Sequence, residues 1–281
     1  MTEEHSGSED RAEAQAFENF RASLAAEPGL ANLVVLETID STQRLARRIV
    51  DEYRRDGGSV PTVQVLALEQ TVGRGRRGNA WQSPSGAGVY ASMLVSLKRQ
   101  EELERLPLAV AIGLCRGVDE LIGERRCSLK WPNDLLVNGR KLGGILIEQI
   151  APGAAGAGDP SGSLDAIIGF GVNFRAAAEH GALVATSLCD ENPAMTSLGA
   201  AAAELLRGVQ RVLEGLGRPA EILKAYGRRS LHRPGDMLNW RVGGESGSGE
   251  FLGFDERGFL RLRDAETGEE RLLFAGEVRG R

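Results

Sequence analysis

Cysteine and histidine are scarce in this chain, and their scarcity excludes several kinds of chemistry. Only three of each occur among the 281 residues. The cysteines lack the paired spacing that a disulfide framework or a cysteine-based zinc site requires. The histidines are far apart in sequence and give no sign of a serine–histidine–aspartate arrangement. We therefore expect neither a disulfide scaffold nor chemistry at a zinc ion or a hydrolytic serine.

Long hydrophobic runs and a basic overall charge are lacking as well. The longest apolar stretch, around Leu108–Cys115, is too short to span a bilayer. The N-terminus is acidic and has neither the basic start nor the apolar run of a signal peptide. The net charge of −5 argues against general affinity for nucleic acid. These features predict a cytoplasmic protein that does not associate with membranes.

Glycine is abundant, at 37 residues, and it alternates with arginine in the segment GRGRRG at residues 73–78. Glycine lets backbone N–H groups approach anionic oxygens, and arginine offers a planar set of donors for carboxylate or phosphate. The segment therefore indicates a loop that closes over an anionic ligand. An exposed basic turn, or one that contacts nucleic acid, remains open from these residues alone.

Two better-known phosphate motifs do not fit GRGRRG. A dinucleotide-binding motif needs a helix directly after its glycines, whereas NAWQSPSGAG follows here and Pro84 does not favour a helix. A P-loop needs a closing Gly-Lys-Ser or Gly-Lys-Thr, which is missing. We reject both interpretations.

Strand and helix patterns alternate from Leu33 to about residue 230. Strands are predicted at LVVLETI, TVQVLALEQ, VYASMLVSL, SLKW, DLLV, KLGGILIEQI and LDAIIGFGVNF. Asn138-Gly139 is a hairpin signal. Four helices are predicted: one capped by Asp40 or Ser41, with Leu45, Ile49 and Tyr53 inward and Gly57-Gly58 at its end; one from Pro107 to Gly123; one capped by Thr196 or Ser197 and running to Gly215; and one at PAEILKAYGRRS.

The pattern changes at both ends of this region. Residues 1–29 read as a polar tail with a short helix at Ala16–Ala25, too short for a DNA-binding helix-turn-helix. After Arg233-Pro234, short strands at NWRV, GEFLGF, GFLRLRD and ERLLFAGEV predict a small β-barrel, with GGESGSG as a loop between the first two. A flexible connection is predicted at 152–163. The expected domains are 30–231 and 232–281.

Three segments in order, GRGRRG with a following Trp and Ser-Pro, then KWPNDLLVNGRKLGGILIE, then GFGVNF, resemble those of the biotin protein ligases. The resemblance covers roughly residues 33–281. It implies an α/β catalytic domain with a mixed, largely antiparallel sheet and flanking helices, like class II synthetases, and a C-terminal SH3-like barrel. It also implies that biotin and ATP give biotinyl-5′-adenylate, from which biotin passes to a lysine of a biotin carboxyl carrier protein.

The resemblance also implies roles for individual residues. Lys141, between the biotin carboxylate and the α-phosphate, and Arg76 are the expected catalytic residues. The expected biotin-binding residues are Ser41, Thr42, Gln43, Gln70, Arg74, Gly75, Arg76, Lys141, Gly143 and Gly144. The expected ATP-binding residues are Arg76, Trp81, Lys130, Asn133 and Asn173, with Asp134 as a ligand of Mg²⁺.

Ordinary structural roles compete with several of these assignments. Ser41 and Thr42 also suit helix capping, Trp81 suits a core, Pro132-Asn133-Asp134 suits a turn, and Lys141 suits a solvated hairpin. Ser41 and Thr42 can cap the helix and bind a ligand at the same time.

Two departures from the family pattern stand out. Asn79 occupies a position where the family often has arginine, which raises doubt about closure of the loop over the adenylate. Gln43 replaces an asparagine, and its longer side chain can shift or lose a contact. The missing N-terminal DNA-binding domain implies no repressor role and no DNA partner.

A lipoate-type ligase of the same fold and a non-catalytic biotin- or nucleotide-binding sensor are the competing functions. The segments that resemble biotin ligases favour a biotin ligase over a lipoate-type ligase. The retained Lys141 and loop arginines disfavour a non-catalytic sensor. The expected oligomeric state is a monomer or a homodimer.

Overall fold

The structure, a computed structural model, describes residues 3–56, 62–150, 164–175 and 184–280. The six helices in these ranges are α1 (Glu3–Ala25), α2 (Thr42–Arg55), α3 (Gln100–Ile122), α4 (Leu188–Glu191), α5 (Leu198–Leu213) and α6 (Pro219–Arg229). The predicted flexible connection at 152–163 and the glycines predicted to end α2, Gly57-Gly58, lie outside the described residues.

Seven strands form the central sheet, in the order β1-β2-β3-β7-β6-β5-β4. Only β1 and β2 run parallel, and each of the other neighbouring pairs is antiparallel. The mixed, largely antiparallel α/β fold is thus confirmed. The strands are β1 (Leu33–Ile39), β2 (Gln64–Gln70), β3 (Gly88–Leu97), β4 (Cys127–Lys130), β5 (Asp134–Val137), β6 (Arg140–Gln149) and β7 (Leu164–Asn173).

The two faces of this sheet have different partners. The main hydrophobic core joins one face, through Met93 and Ile168 among others, to α3 and α5. On the opposite face a smaller apolar cluster joins Leu94 and Ile167 to Ala46 of α2. Because α2 covers only part of this second face, the rest of it is free to line a cavity.

The hairpin between β5 and β6 forms as expected. Asn138 and Gly139 both have positive φ, 51° and 73°, which the predicted two-residue turn requires. Ser197 is the cap of α5, with its hydroxyl accepting from the backbone N–H of Ala200. Gly123 ends α3 in the left-handed conformation.

The structure corrects the predicted inward face of α2. Thr42, Gln43, Ala46 and Val50 are its buried residues, whereas Tyr53 is 45% exposed. Leu45 and Ile49 are only half-buried at the edge of the smaller cluster. The prediction followed the largest apolar side chains, but the helix instead turns its small residues and its polar first turn towards the sheet.

Helix α3 begins at Gln100 and not at Pro107, which lies inside it. The preceding turn forms because Glu102 caps it locally: its carboxylate accepts from the backbone N–H of Lys98 and from the side chain of Arg99. At the N-terminus, α1 extends beyond the predicted Ala16–Ala25. Phe20 and Leu24 of α1 are buried in the main core, and α1 packs on α5.

Five C-terminal strands form a separate antiparallel sheet, in the order β11-β10-β9-β8-β12. Two details of the prediction were wrong. GGESGSG is mostly strand, because Gly243-Gly244 alone makes the turn, and ERLLFAGEV is split into two strands that lie at opposite edges of the sheet. The strands are β8 (Met237–Val242), β9 (Glu245–Phe254), β10 (Leu260–Asp264), β11 (Glu270–Leu273) and β12 (Glu277–Gly280).

The C-terminal sheet packs on the helices of the larger unit. Arg257 forms an ion pair with Glu104 of α3 at 2.6 Å, and Tyr226 of α6 meets Phe254 edge to face at 5.1 Å between ring centroids. These contacts hold the C-terminal sheet against α3 and α6.

Candidate functional site

A cavity of about 690 Å³ lies on the side of the central sheet that carries α2. Its wall combines the first turn of α2, the glycine–arginine loop, the segment from β4 to β5, β6, β7 and strand β12. Most of the sequence-predicted site residues meet there: Ser41, Thr42, Gln43, Gln70, Arg74, Gly75, Arg76, Trp81, Lys130, Asn133, Asp134, Lys141 and Gly144.

A hydrogen-bonded network of neutral side chains forms one end of the cavity. The side-chain oxygen Oε1 of Gln70 accepts from the backbone N–H of Thr42 at 2.9 Å, and the Thr42 hydroxyl lies 2.9 Å from that of Ser92. Ser92 in turn donates to Gln43 Oε1 at 3.0 Å. The hydroxyl of Ser41 is buried and has no hydrogen-bond partner among the described residues. This end offers amide and hydroxyl groups to an uncharged polar ligand.

Ser41 occupies the N-cap position of α2, but its side chain makes no capping hydrogen bond. The capping interpretation therefore holds for its backbone position and not for its hydroxyl. Because the oxygen is not used to cap the helix, it can serve a ligand with little competition from the backbone.

Three glycines on the cavity face of β6 and β7 make room for larger side chains. A Cβ at Gly171 would lie 2.5 Å from the indole of Trp81, and one at Gly144 would lie 3.2 Å from it. A Cβ at Gly169 would collide with the Gln43 amide. Trp81 is 9% exposed and lies against the bare backbone of these strands. The indole and the Gln43 amide are thereby fixed at the floor of the cavity.

An irregularity in the β5–β6 pairing aims Lys141 into the cavity. Leu135 pairs with Gly143, but Leu136 pairs with Lys141, so Leu142 is an extra residue in β6. In a regular strand residues 141 and 144 would face opposite sides of the sheet. The extra residue changes this alternation, and both Lys141 and Gly144 line the cavity.

The ammonium group of Lys141 lies between an acid and an aromatic ring. Its Nζ is 2.8 Å from Asp134 Oδ1 and 5.6 Å from the centre of the Trp81 ring. The lysine side chain is 14% exposed. This burial excludes the solvated-hairpin interpretation, and the Lys141 side chain forms part of the cavity wall.

The backbone of Lys141 is held by the segment 184–186. Its N–H donates to the carbonyl of Val184 at 2.8 Å, and its carbonyl accepts from the N–H of Thr186 at 2.9 Å. The hydroxyl of Thr186 donates to Glu191 at 2.8 Å. Glu191 also accepts from Arg140 at 2.7 Å. The buried Glu191 carboxylate thus links Arg140, which precedes Lys141 in β6, to Thr186 in the segment that holds the Lys141 backbone.

Replacement of Glu191 by alanine should lower the free energy of unfolding by about 3 kcal/mol, since it removes a buried carboxylate that pairs with two arginines and leaves the buried hydroxyl of Thr186 without its acceptor. The Glu191 side chain is 2% exposed and also accepts from Arg126 and Asn138. Urea unfolding measures the change. Glu221→Ala is a matched control, because the Glu221–Arg218 pair is exposed and should contribute less than about 1 kcal/mol. Equal free energies of unfolding for the two variants would contradict the proposed role of Glu191 in holding the segments around Lys141 together.

Each arginine of the loop has a partner. Arg74 pairs with Glu148 at 3.1 Å, Arg76 donates to Asn133 Oδ1 at 2.9 Å, and Arg77 pairs with Glu277 of β12 at 3.2 Å.

Two features of the loop affect its charge and shape. Burial lowers the pKa of Arg76, and neighbouring Arg77 lowers it further, while Asp134 and Glu277 oppose the shift. Arg77 also has a φ of 57°, a conformation that a side-chain-bearing residue adopts only when its surroundings hold it there.

Positive charge collects at the end of the cavity near β4 and β12. Lys130 and Arg279 line it together with Lys141. Burial lowers the pKa of Lys130, Arg279 and Lys141 lower it further, and Asp134 opposes them. This cationic end is suited to an anionic group such as a phosphate.

Several lining residues were missed by sequence reasoning. They come from β3, from β7, from the connection after α6 and from β12: Ser92, Gly169, Gly171, Leu231, His232, Glu277 and Arg279. Leu231 is held beside the cavity by its backbone N–H, which donates to the carbonyl of Leu129 in β4 at 2.8 Å. Gly169 and Gly171 lie in the family-like segment GFGVNF. The other positions have no local sequence signal, because they depend on contacts distant in sequence.

Two predicted residues do not line the cavity. Gly143 lies on the face of the sheet that packs against α3 and α5, where a Cβ would meet Val172 and Leu135. Asn173 is 3% exposed, and its side-chain amide donates to the carbonyl of Thr186 at 2.9 Å. The structure thus separates both from the predicted set.

The predicted magnesium ligand, Asp134, lines the cavity and already pairs with Lys141. In the ranges that the structure describes, no group of three or more His, Cys, Asp or Glu side chains converges as a metal site. One carboxylate fits a magnesium ion that is held mainly by phosphate oxygens and water. It does not fit a resident metal enclosed by protein.

The part of the chain that supplies most of the cavity also matches known families and sequences. The model of the biotin/lipoate A/B protein ligase family matches residues 35–158. A bifunctional ligase/repressor BirA from Bacillus subtilis is 32% identical over 147 residues, which cover 51% of this chain and 41% of that protein. A biotin--[acetyl-CoA-carboxylase] ligase from Mycobacterium tuberculosis is 29% identical over 211 residues, covering 73% and 75%.

The chain thus spans about two fifths of the length of the BirA relatives it matches. Among solved structures, a biotin protein ligase from Aquifex aeolicus in complex with biotin and ATP has a TM-score of 0.67 and 24% identity, and the match covers 90% of this chain and 99% of that one. The shared fold includes the C-terminal sheet. None of the helices within the described ranges has the length and apolar character needed to cross a membrane.

Proposed function

We propose that the chain is an ATP-dependent biotin protein ligase, and the match of residues 35–158 to the model of the biotin/lipoate A/B protein ligase family supports this proposal. It activates biotin as biotinyl-5′-adenylate and transfers biotin to a lysine of a biotin carboxyl carrier protein. The observation that carries this proposal is the position of Lys141. Its side chain lines a cavity that also contains a neutral polar network and the cationic side chains of Lys130 and Arg279.

The neutral end is suited to the ureido ring of biotin. A ureido group has one carbonyl acceptor and two N–H donors, and it carries no charge. The Ser41 hydroxyl, together with the amides and hydroxyls of Gln43, Thr42 and Gln70, supplies both donors and acceptors. Gln43 forms part of this network in place of the family's asparagine, and Gly169 accommodates its greater length.

The carboxylate end of biotin then extends towards Lys141. A carboxylate oxygen attacks the α-phosphorus of ATP, the bond from that phosphorus to the β-phosphate oxygen breaks, and pyrophosphate leaves. Both reactants are anions, so the ammonium group of Lys141 and the guanidinium group of Arg76 offset their repulsion and stabilise the charge on the transferring phosphorus. The family often has a lysine and arginines at these positions, as the sequence resemblance implied.

The nucleotide occupies the other half of the cavity in this proposal. Trp81 stacks on adenine, and Lys130 and Asn133 contact phosphate or ribose oxygens. Asn173 takes part only if the segment around Thr186 moves, because its amide is now engaged there. Mg²⁺, with Asp134 as a single protein ligand, would neutralise charge on the phosphates.

Transfer completes the reaction. The neutral amine of the carrier lysine attacks the acyl carbon of biotinyl-5′-adenylate, the bond from that carbon to the phosphate oxygen breaks, and AMP leaves with a proton lost from the amine. The cavity encloses the adenylate until the carrier arrives, and this protects the mixed anhydride from water.

Pyrophosphate release tests the proposal. It should require both biotin and ATP and should stop when either is omitted. Replacing biotin by lipoate in the same assay tests the alternative of a lipoate-type ligase. Binding of biotin or ATP without pyrophosphate release would indicate the non-catalytic sensor. A chain that releases pyrophosphate only with lipoate would contradict the assignment.

Asn79→Arg should lengthen the lifetime of bound biotinyl-5′-adenylate. Asn79 lines the cavity at the end of the arginine loop. A positive charge there would attract the adenylate phosphate with about 1 kcal/mol, or roughly a fivefold slower loss, and salt should weaken the effect. Decay of preformed adenylate on each protein gives the measurement. Asn79→Gln is the uncharged control, and equal lifetimes for all three proteins would show that residue 79 does not act on the intermediate.

A further inference from the structure

Four arginines border a groove next to the cavity opening. Arg44, Arg47 and Arg48 project from α2, and Arg74 extends from the glycine–arginine loop. Together with Asp40 and Glu148 they enclose about 450 Å³. We call this feature the arginine groove.

The arginine groove carries excess positive charge. Its four arginines face two carboxylates, which leaves two positive charges in a chain whose net charge is −5. Arg44 and Arg48 share the single carboxylate of Asp40, at 3.5 and 3.3 Å. Arg47 makes one long hydrogen bond, 3.4 Å, to the carbonyl of Gln149. These weak internal contacts leave the guanidinium groups available to a partner.

The fold does not need these arginines. The side of α2 that packs on the sheet is formed by other residues, among them Ala46 and Val50. The side chains of Arg44 and Arg48 are 48% and 53% exposed. Their contribution to packing is therefore small, and their clustering on one side of the helix calls for a different explanation.

The arginine groove adjoins the main cavity. Arg74 lines both the groove and the main cavity. A macromolecule that delivers a lysine to the cavity must cover the surface around its opening, and the arginine groove is part of that surface.

We propose that the arginine groove is the docking surface for an acidic face of the biotin-accepting carrier domain. The inference rests on the proposed function and adds to it a surface and the charge of its partner. A protein partner is favoured over a small anion, because no arginine of the groove is buried enough to form an enclosed anion site. Nucleic acid is disfavoured, since an excess of two charges in an acidic chain is a weak electrostatic footprint.

The test separates docking from adenylation. Arg47 and Arg48 lie outside the main cavity, so the double variant Arg47→Glu/Arg48→Glu should release pyrophosphate at the wild-type rate. With preformed biotinyl-5′-adenylate, its kcat/KM for biotin transfer to a purified carrier domain should fall about tenfold at low ionic strength. The deficit should shrink as salt is raised, since rim charges act mainly on the association rate.

Two further variants control for charge and for folding. Arg211→Glu/Arg218→Glu makes the same charge change at exposed, acid-paired arginines far from the groove and should transfer biotin normally. Arg47→Gln/Arg48→Gln should give an intermediate deficit. Unchanged transfer by the glutamate variant, or an equal loss in the Arg211/Arg218 control, would overturn the proposal.

Direct binding makes the result independent of the reaction. Fluorescence anisotropy with a labelled carrier domain should show weaker binding by the Arg47/Arg48 variant even if no pyrophosphate is released, in which case the proposed function fails and the docking surface stands. A labelled oligonucleotide is the second probe. If the variant loses affinity for the oligonucleotide and not for the carrier domain, the groove binds nucleic acid and the proposal is wrong.

Discussion

Lys141→Ala is expected to reduce the rate of pyrophosphate release by roughly a hundredfold to a thousandfold, a loss typical of removing one preorganised charge that stabilises a transition state. Lys141 lines the cavity from a strand in which an extra residue changes the alternation of the side chains. Without that charge, the two anions would meet with their repulsion less offset. The loss should appear in kcat more than in the affinity for biotin, because the neutral polar network that suits the ureido ring remains.

The same variant must remain folded for the result to bear on chemistry. Removing the lysine leaves the Asp134 carboxylate without its partner at 2.8 Å, so thermal unfolding and circular dichroism should accompany the kinetics. Lys141→Met preserves much of the side-chain volume. Lys224→Ala on the exposed side of α6 removes an equal charge elsewhere and should leave turnover unchanged. Near wild-type pyrophosphate release by Lys141→Met would exclude the assigned role.

Gly171→Ala is expected to raise the KM for ATP and lower turnover, by roughly ten- to a hundredfold in kcat/KM. The new Cβ would lie 2.5 Å from the Trp81 indole, so the ring has to shift away from the strand. A displacement of about 1 Å in a positioning group commonly costs about that much. Because Trp81 is assigned to adenine, the effect should be larger for ATP than for biotin.

A graded series makes this expectation specific. Gly144→Ala places its Cβ 3.2 Å from the same ring and should have a smaller effect. Gly227→Ala on α6 meets nothing within 4 Å and should leave both KM values unchanged. If Gly171→Ala and Gly227→Ala have the same KM for ATP, the position of Trp81 does not govern nucleotide binding.

The regular elements were largely predictable because their signals are local. Short, largely apolar segments predicted the seven strands of the central sheet, and Asn138-Gly139 predicted its tight hairpin. Errors arose where a tertiary contact decided the outcome. Val50 is buried in α2 while the larger Tyr53 is exposed, since the sheet leaves room only for the smaller side of the helix.

Most of the residues expected in the site line the cavity, but Gly143 and Asn173 do not, and the geometry of the cavity was not predictable from the sequence. Loop arginines and Lys141 could be found from sequence, yet the extra residue at Leu142 that aims the lysine has no local signature. The three loop arginines carry like charges, but each has a partner from a distant segment, including Glu277 of the C-terminal sheet for Arg77. Such pairs depend on the assembled fold, so no property of the loop alone reveals them.

Mass spectrometry of the purified protein after incubation with biotin, ATP and Mg²⁺ tests the proposed activity most directly. The expected result is biotinyl-5′-adenylate retained by the wild-type protein, formed together with pyrophosphate and discharged to AMP when a carrier domain is added. Lys141→Ala should form no detectable adenylate under the same conditions. If the wild-type protein retains unreacted biotin and ATP and forms no adenylate, the proposed ligase chemistry is contradicted.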